Sequence, residues 1–315
     1  MRIPQRPRSG LGSAAVAALG GLAALLASAC GSGPAGSESS TTSTVPGDDS
    51  LQVSPQNSEL VLGVNRIGFA VLDKDSKPVL HASISVDVGT RSGPAFEHIA
   101  AEPIGPEYGS IPVYLATASF PKVGEVEFVV HATMPDGSSH TGHAFQNVSN
   151  HSSALPVGHS VTEAGNITQK VARDVNGDLT RLDTAVVDGK AAPDAFHDHT
   201  IAEGVAAHMP MLLYFGEPGR CVSGTCTPTI DVVKKLAAEY GSRIWVEHIE
   251  VHYPADADTF NPVYTAFGLQ SEPWIFFVNS QGVVADRFEG PVSIGQLRSS
   301  AEGTLAGKVP AVSVG

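Results

Sequence analysis

Basic charge is scarce in this chain. Its 315 residues hold 19 Lys and Arg against 32 Asp and Glu, a net charge of −13. An acidic surface opposes binding to a phosphate backbone, and no polybasic patch is present to hold anionic lipid headgroups. The sequence also lacks a phosphate-binding glycine loop, a nucleophilic serine motif and a zinc signature. Its 33 glycines are spread widely, as turn residues are, and its 12 histidines are scattered along the chain. Only three cysteines occur, at Cys30, Cys221 and Cys226. Cys30 lies in an N-terminal leader, whereas the other two sit together in Cys-Val-Ser-Gly-Thr-Cys.

The leader opens with Arg2, Arg6 and Arg8, continues uncharged from Leu11 to Ala29, and ends Leu26-Ala27-Ser28-Ala29-Cys30. Small residues before a cut and a Cys just after it resemble a bacterial lipobox, in which the Cys thiol is lipidated. The usual Leu three residues before the Cys is Ala27 here. An ordinary secretory leader and an uncleaved anchor helix are the alternatives, although so much Ala and Gly makes a weak anchor. All three put the rest of the chain outside the cytoplasm. Loss of residues 1–29 removes three Arg and no acid, which takes the net charge to −16. The expectation is an extracytoplasmic protein, held to the cell membrane by lipid on Cys30.

Residues 30–57 are mostly Ser, Thr, Gly and Pro. They bury too little apolar surface to offset ordering entropy and are expected to be a flexible tether. Residues 58–148 read as all-β. Ala82, Ile84, Val86 and Val88 alternate with polar residues, as do Val126, Phe128, Val130 and Ala132. Turn signals at Pro78, Pro94 and Pro135-Asp-Gly137 separate them. This spacing suggests an immunoglobulin-like sandwich without its usual disulfide. His131, His140 and His143 lie near one end, as metal ligands or, more simply, as surface residues. Residues 149–199 read as an irregular connector with room for a short hairpin. It ends in Phe196-His-Asp-His199, whose two His are either exposed or share a metal.

Residues 200–305 switch to alternating strands and helices, and 306–315 form a tail. A short helix from Thr200 precedes the apolar strand Met211–Phe215. Thr227-Pro228 predicts a helix start, since Thr caps and Pro at the first position has no amide to leave unbonded. Ile230, Val233, Leu236, Ala237 and Tyr240 form its apolar stripe, and Gly241 ends it. A strand from Ile244 to Val251, a helix over 258–267, a hairpin over 275–288 and a final helix capped by Ser293 and Gln296 follow.

This order, cysteines at a strand-to-helix junction, and Ser271-Glu272-Pro273-Trp274 before the hairpin resemble the thioredoxin-like superfamily over about a third of the chain. The whole chain is similar to exported bacterial proteins that join an Ig-like domain to a thioredoxin-like one. The fold class implied is an all-β Ig-like sandwich followed by an α/β domain, its mixed central sheet flanked by helices. In that superfamily the residue in the place of Pro273 is a cis-proline facing the redox cysteine. Laid on Pro228, the family's Cys-x-x-Cys reads Cys226-Thr-Pro-Thr229, so the resemblance makes Cys226 the nucleophile. Helix amides there lower a thiol pKa. Thr229 replaces the resolving Cys, and Cys221 is the partner left. In an oxidising compartment the pair is expected to be bridged.

The expected function is thiol-disulfide exchange on exported proteins. Cys226 and Cys221 would be the catalytic pair, with Pro273, Glu272, Trp274 and Thr229 lining a groove. A non-catalytic scaffold with a structural bridge, holding an unknown envelope partner, is the main alternative. A Sco-like copper protein is another, with Cys221, Cys226 and His248 binding Cu(I). Peroxiredoxin-type chemistry fits less well: Ser223 is at a workable offset from Cys226, but Pro218 is one residue too far. No cofactor is expected unless copper is bound.

Overall fold

The computed structural model describes residues 50–165 and 178–308, all within one compact unit spanning 46–315. The leader, Cys30, the tether up to residue 49 and the end of the tail lie outside the described residues. The chain is β-rich, with three sheets and few helices among the described residues. None of those helices is long and apolar enough to cross a membrane.

Eight strands come first: β1 (Leu51–Pro55), β2 (Leu60–Val61), β3 (Gly63–Asp73), β4 (Ser83–Gly89), β5 (Ala95–Pro103), β6 (Val113–Phe120), β7 (Gly124–Thr133) and β8 (Ser139–Ser149). Their order is β1-β3-β6-β5-β4-β7-β8-β2. β5 pairs with β4 over most of its length and with β6 only at Glu102 and Pro103, so it carries the chain from one layer to the other. The alternating residues of β4 and β7 point inward, where Val86, Val88, Phe128 and Val130 are fully buried. Phe128 meets Phe69 of β3 edge-on, with ring centroids 5.2 Å apart.

β1 lies inside the stretch expected to be tether, and residues 51–55 are corrected to a strand paired with β3. Leu51 enters the core, which rewards ordering a segment too short to signal itself by periodicity. Gly142 on β8 permits this approach, since a Cβ there would lie 2.7 Å from the Leu51 carbonyl oxygen.

The connector holds a short hairpin and residues of the core. β9 (Val186–Val187) and β10 (Lys190–Ala191) form a hairpin turned by Asp188 and Gly189, both at positive φ. Ala154 and Val161 join the core on one face of the third sheet, and residue 160 bridges to 283 at its edge.

That third sheet contains β11 (Met211–Phe215), β12 (Trp245–Ile249), β13 (Trp274–Val278) and β14 (Val284–Glu289), in the order β12-β11-β13-β14. β11 and β12 are parallel and the other pairs antiparallel. β11 is buried throughout, as expected of a strand covered on both faces. Its even residues, Leu212 and Tyr214, face the helices α2 (Cys226–Tyr240) and α4 (Ile294–Leu305). Its odd residues pack with α1 (Ile201–Ala206) and α3 (Pro262–Ala266). Capping boxes start α1 at Thr200 and Glu203, and α4 at Ser293 and Gln296. α3 is shorter than the expected 258–267 helix because Asn261 caps it and Phe260 bridges to His252.

The sandwich and this α/β part share a core. Ile104, Tyr108 and Val113 pack among Ile230, Val233 and Val292. The Tyr108 hydroxyl is 2.9 Å from Thr229 Oγ1 and accepts the Val292 amide at 2.9 Å. Arg66, from β3, lies over the Phe288 ring and donates to the Glu289 carbonyl at 3.0 Å and to the Pro291 carbonyl.

Candidate functional site

β11 delivers the chain into a loop, residues 216–225, that ends at the first turn of α2. Cys221 and Cys226 are joined by a disulfide, with Cα atoms 6.0 Å apart. Gly224, at φ 70°, makes the turn back. α2 begins at Cys226 after Thr225, two residues earlier than Thr227-Pro228 implied. Thr225 is preferred because its carbonyl accepts both the Thr229 amide and the Thr229 hydroxyl. Thr227 instead donates its hydroxyl to the Pro218 carbonyl.

The two sulfurs differ. Cys226 is fully buried, whereas Cys221 is half-buried beside the fully exposed Val222. The Cys226 amide, at the helix N-terminus, donates to Cys221 Sγ at 3.3 Å, and Ser223 Oγ is 3.2 Å from the same sulfur. The loop is pinned at several points. Arg220 donates to the carbonyls of Ala255 and Ala257. The Gly219 amide donates to Thr184 Oγ1 at 3.0 Å, and a Cβ at Gly219 would lie 2.0 Å from the Thr184 carbonyl oxygen.

Of the expected groove residues, Glu272 reaches the bridge. A Glu272 carboxylate oxygen and both sulfurs lie within 4.8 Å of one another. Glu272 Oε2 also accepts the Glu217 amide at 2.5 Å. Burial pushes the Glu272 carboxyl up to about 7, with the Glu217 charge adding to it and the Glu217 amide and Arg220 opposing it. Pro273 follows in a cis peptide and is buried.

Thr229 and Trp274 are corrected as groove residues. Thr229 has no exposed surface and is tied to Thr225 and Tyr108. Trp274 is 2% exposed, stacked on Phe276, with its indole N–H on Ser271 Oγ. The buried face of α2 directs Thr229, and strand alternation directs Trp274, into cores rather than toward the loop.

The ligand set Cys221, Cys226 and His248 is corrected too. His248 is buried with Nδ1 3.0 Å from Asp194 Oδ2 and Nε2 2.9 Å from the Gly216 carbonyl oxygen. It groups with Asp183, Asp194 and His197, not with the cysteines. Burial alone would lower its pKa, but hydrogen bonds to Asp183 and Asp194 and the nearby acid charges hold it well above the usual value. Asp183 is held far below its ordinary value: its burial is outweighed by hydrogen bonds to His197 and His248.

The two His of the connector point apart, since His197 is buried while His199 stacks on Trp245 at 3.8 Å. His131 and His143 pair with Asp87 and Glu127 on the sandwich surface. Sequence reading missed Asp183 and Asp194 in the polar connector; the turn signal Asp188-Gly189 between them was the available clue.

No protein-family model matches the chain, and no curated protein does. Solved structures that resemble part of it include a thioredoxin-family thiol:disulfide interchange protein from Chlorobium tepidum TLS, at 15% identity and a TM-score of 0.27, covering 34% of this chain and 86% of that one. CopC from Methylosinus trichosporium OB3b matches at 14% identity and a TM-score of 0.23, over 32% of this chain and 97% of that one. A DUF4426 family protein from Pseudomonas aeruginosa PAO1 matches at 17% identity and a TM-score of 0.25, over 32% and 91%. TM-scores of this size do not establish a shared fold.

Proposed function

We propose that the chain is an exported lipoprotein, anchored through Cys30, that exchanges disulfides with exported proteins. Residues 51–149 are read as an Ig-like sandwich and residues 200–305 as a thioredoxin-like domain. Support for the second comes from the mixed sheet, α2 following β11, and the cis-proline before the hairpin. The carrying observation is a bridge whose half-buried Cys221 accepts the amide at a helix N-terminus, with a carboxyl of raised pKa beside the sulfurs.

Exposure reverses the roles that the resemblance assigned. A substrate thiolate attacks Cys221 Sγ, forming a mixed disulfide while the bridge breaks and the electron pair leaves on Cys226 Sγ. Glu272, when protonated, supplies that sulfur's proton. A second substrate thiolate then displaces Cys221, so the substrate dithiol is oxidised and the bridge reduced. In the reverse direction the Glu272 carboxylate takes the Cys226 proton as Cys226 attacks the mixed disulfide and releases substrate.

Two variants test the order. Reduced Cys226→Ser is expected to accumulate a mixed disulfide with an aromatic disulfide reagent. Reduced Cys221→Ser is expected to form almost none, because Cys226 is buried. The opposite pattern sinks the assignment. Re-closure of the wild-type bridge should accelerate as pH rises through about 7. Glu272→Gln should lose that inflection and slow re-closure about a hundredfold. A slowing with the inflection retained would remove Glu272 from the chemistry.

The pinned loop and the buried Cys226 also suit a scaffold whose bridge is structural. A reduction potential below about −300 mV would favour that reading.

A further inference from the structure

We propose that Asp183, Asp194, His197 and His248 form a binding site for one divalent transition-metal ion, with zinc the best fit. All four side chains are at most 4% exposed, and one ligand atom from each lies within 4.8 Å of the others. His197 Nε2 is 3.4 Å from both Asp183 Oδ2 and Asp194 Oδ1. His248 Nδ1 is 3.0 Å from Asp194 Oδ2 and 3.7 Å from Asp183 Oδ2. Most of these separations are long for hydrogen bonds. They lie near the donor separation around a tetrahedral ion, about 3.4 Å for metal–ligand bonds of about 2.1 Å, with Asp194 presenting Oδ1 to His197 and Oδ2 to His248.

The surroundings orient the donors. His248 Nε2 donates to the Gly216 carbonyl at 2.9 Å, which leaves the Nδ1 lone pair for a metal. Asp183 Oδ1 accepts the Ala185 amide at 2.7 Å, and Asp194 Oδ1 accepts the Phe196 amide at 2.9 Å. The β9–β10 register pairs Val187 with Lys190 and Val186 with Ala191; continued outward, it puts Asp183 opposite Asp194. His197 follows three residues later, and the neighbouring strand supplies His248. Two carboxylates and two neutral imidazoles carry two negative charges, which a divalent cation cancels without further buried charge. Nitrogen and oxygen donors in a tetrahedral set suit zinc better than magnesium or calcium.

The test is zinc titration of the purified full chain after chelator treatment, read by calorimetry and metal analysis, with cobalt(II) as spectroscopic probe. One equivalent of zinc is expected, and cobalt should show tetrahedral visible bands without a sulfur charge-transfer band. Asp194→Asn and His197→Gln should each weaken uptake at least tenfold, whereas the Cys221→Ser, Cys226→Ser double variant should retain it. Thermal unfolding of the wild type covers the case in which a variant fails to fold: saturating zinc should raise its midpoint. Absence of both uptake and a midpoint shift overturns the site. So does uptake that survives His197→Gln or is lost with the cysteines.

Discussion

At pH 8, Glu247→Gln is expected to stabilise the protein by about 4 kcal/mol, while at pH 5 it should change stability little. Glu247 lies on β12, 4% exposed, with no hydrogen bond to its Oε1. Burial, joined by the charges of Asp198, Glu203 and Asp194, pushes its carboxyl up to about 9, against one hydrogen bond from the His199 amide. Between its unfolded value of 4.5 and about 9, the native state binds a proton that the unfolded chain has released. Stability is therefore full below pH 4.5 and falls as pH rises through that window. Glutamine does not titrate, so the gap between variant and wild type opens with pH. Urea unfolding of both proteins at pH 5 and pH 8 measures it. An equal gain at both values would place the benefit in packing instead of ionisation.

The second large effect belongs to Tyr108. Tyr108→Ala removes a ring only 3% exposed from the shared core and leaves the Val292 amide without its acceptor. The expected loss is about 4 kcal/mol. Tyr108→Phe, which keeps the ring, should lose about 1–2 kcal/mol. Both tryptophans, Trp245 and Trp274, lie in the α/β part, so their fluorescence follows that part alone, while far-UV circular dichroism also follows the sandwich. In the wild type the two signals should change together on unfolding. In Tyr108→Ala the tryptophan signal should change first. Coincident curves at reduced stability would mean that the remaining contacts, Ile104 and Val113 among them, keep the parts cooperative.

Much of this arrangement was legible as local pattern. Period-two alternation marked β4 and β7, paired cap residues marked α4, and an apolar run marked β11, because each signal lies within a few neighbouring residues. What escaped depends on contacts distant in the chain. β1 carries two inward residues and becomes a strand through β3. Thr229 and Trp274 sit where the resemblance suggested a groove, but Tyr108 and Ser271 occupy their polar atoms. The unequal exposure of Cys221 and Cys226 is set by the path of the loop, which spacing does not encode. His248 was read as a partner of the cysteines, but residues of the connector, distant in the chain, set Asp183, Asp194 and His197 around it.

Lysine for arginine counts as a mild exchange when only charge is compared. At position 66 it would not be. The guanidinium spans two carbonyls, at Glu289 and Pro291, and lies over the Phe288 ring, a planar fork that one ammonium cannot reproduce. Burial pushes even this guanidinium well below its ordinary value, down to about 10, despite Tyr108, Glu289 and Asp286 nearby. An amine starts near 10.4, so the same push would bring a lysine there down to about 8, where it begins to lose its charge just above neutral pH. The substitution that preserves charge by letter would make that charge depend on pH in the fold.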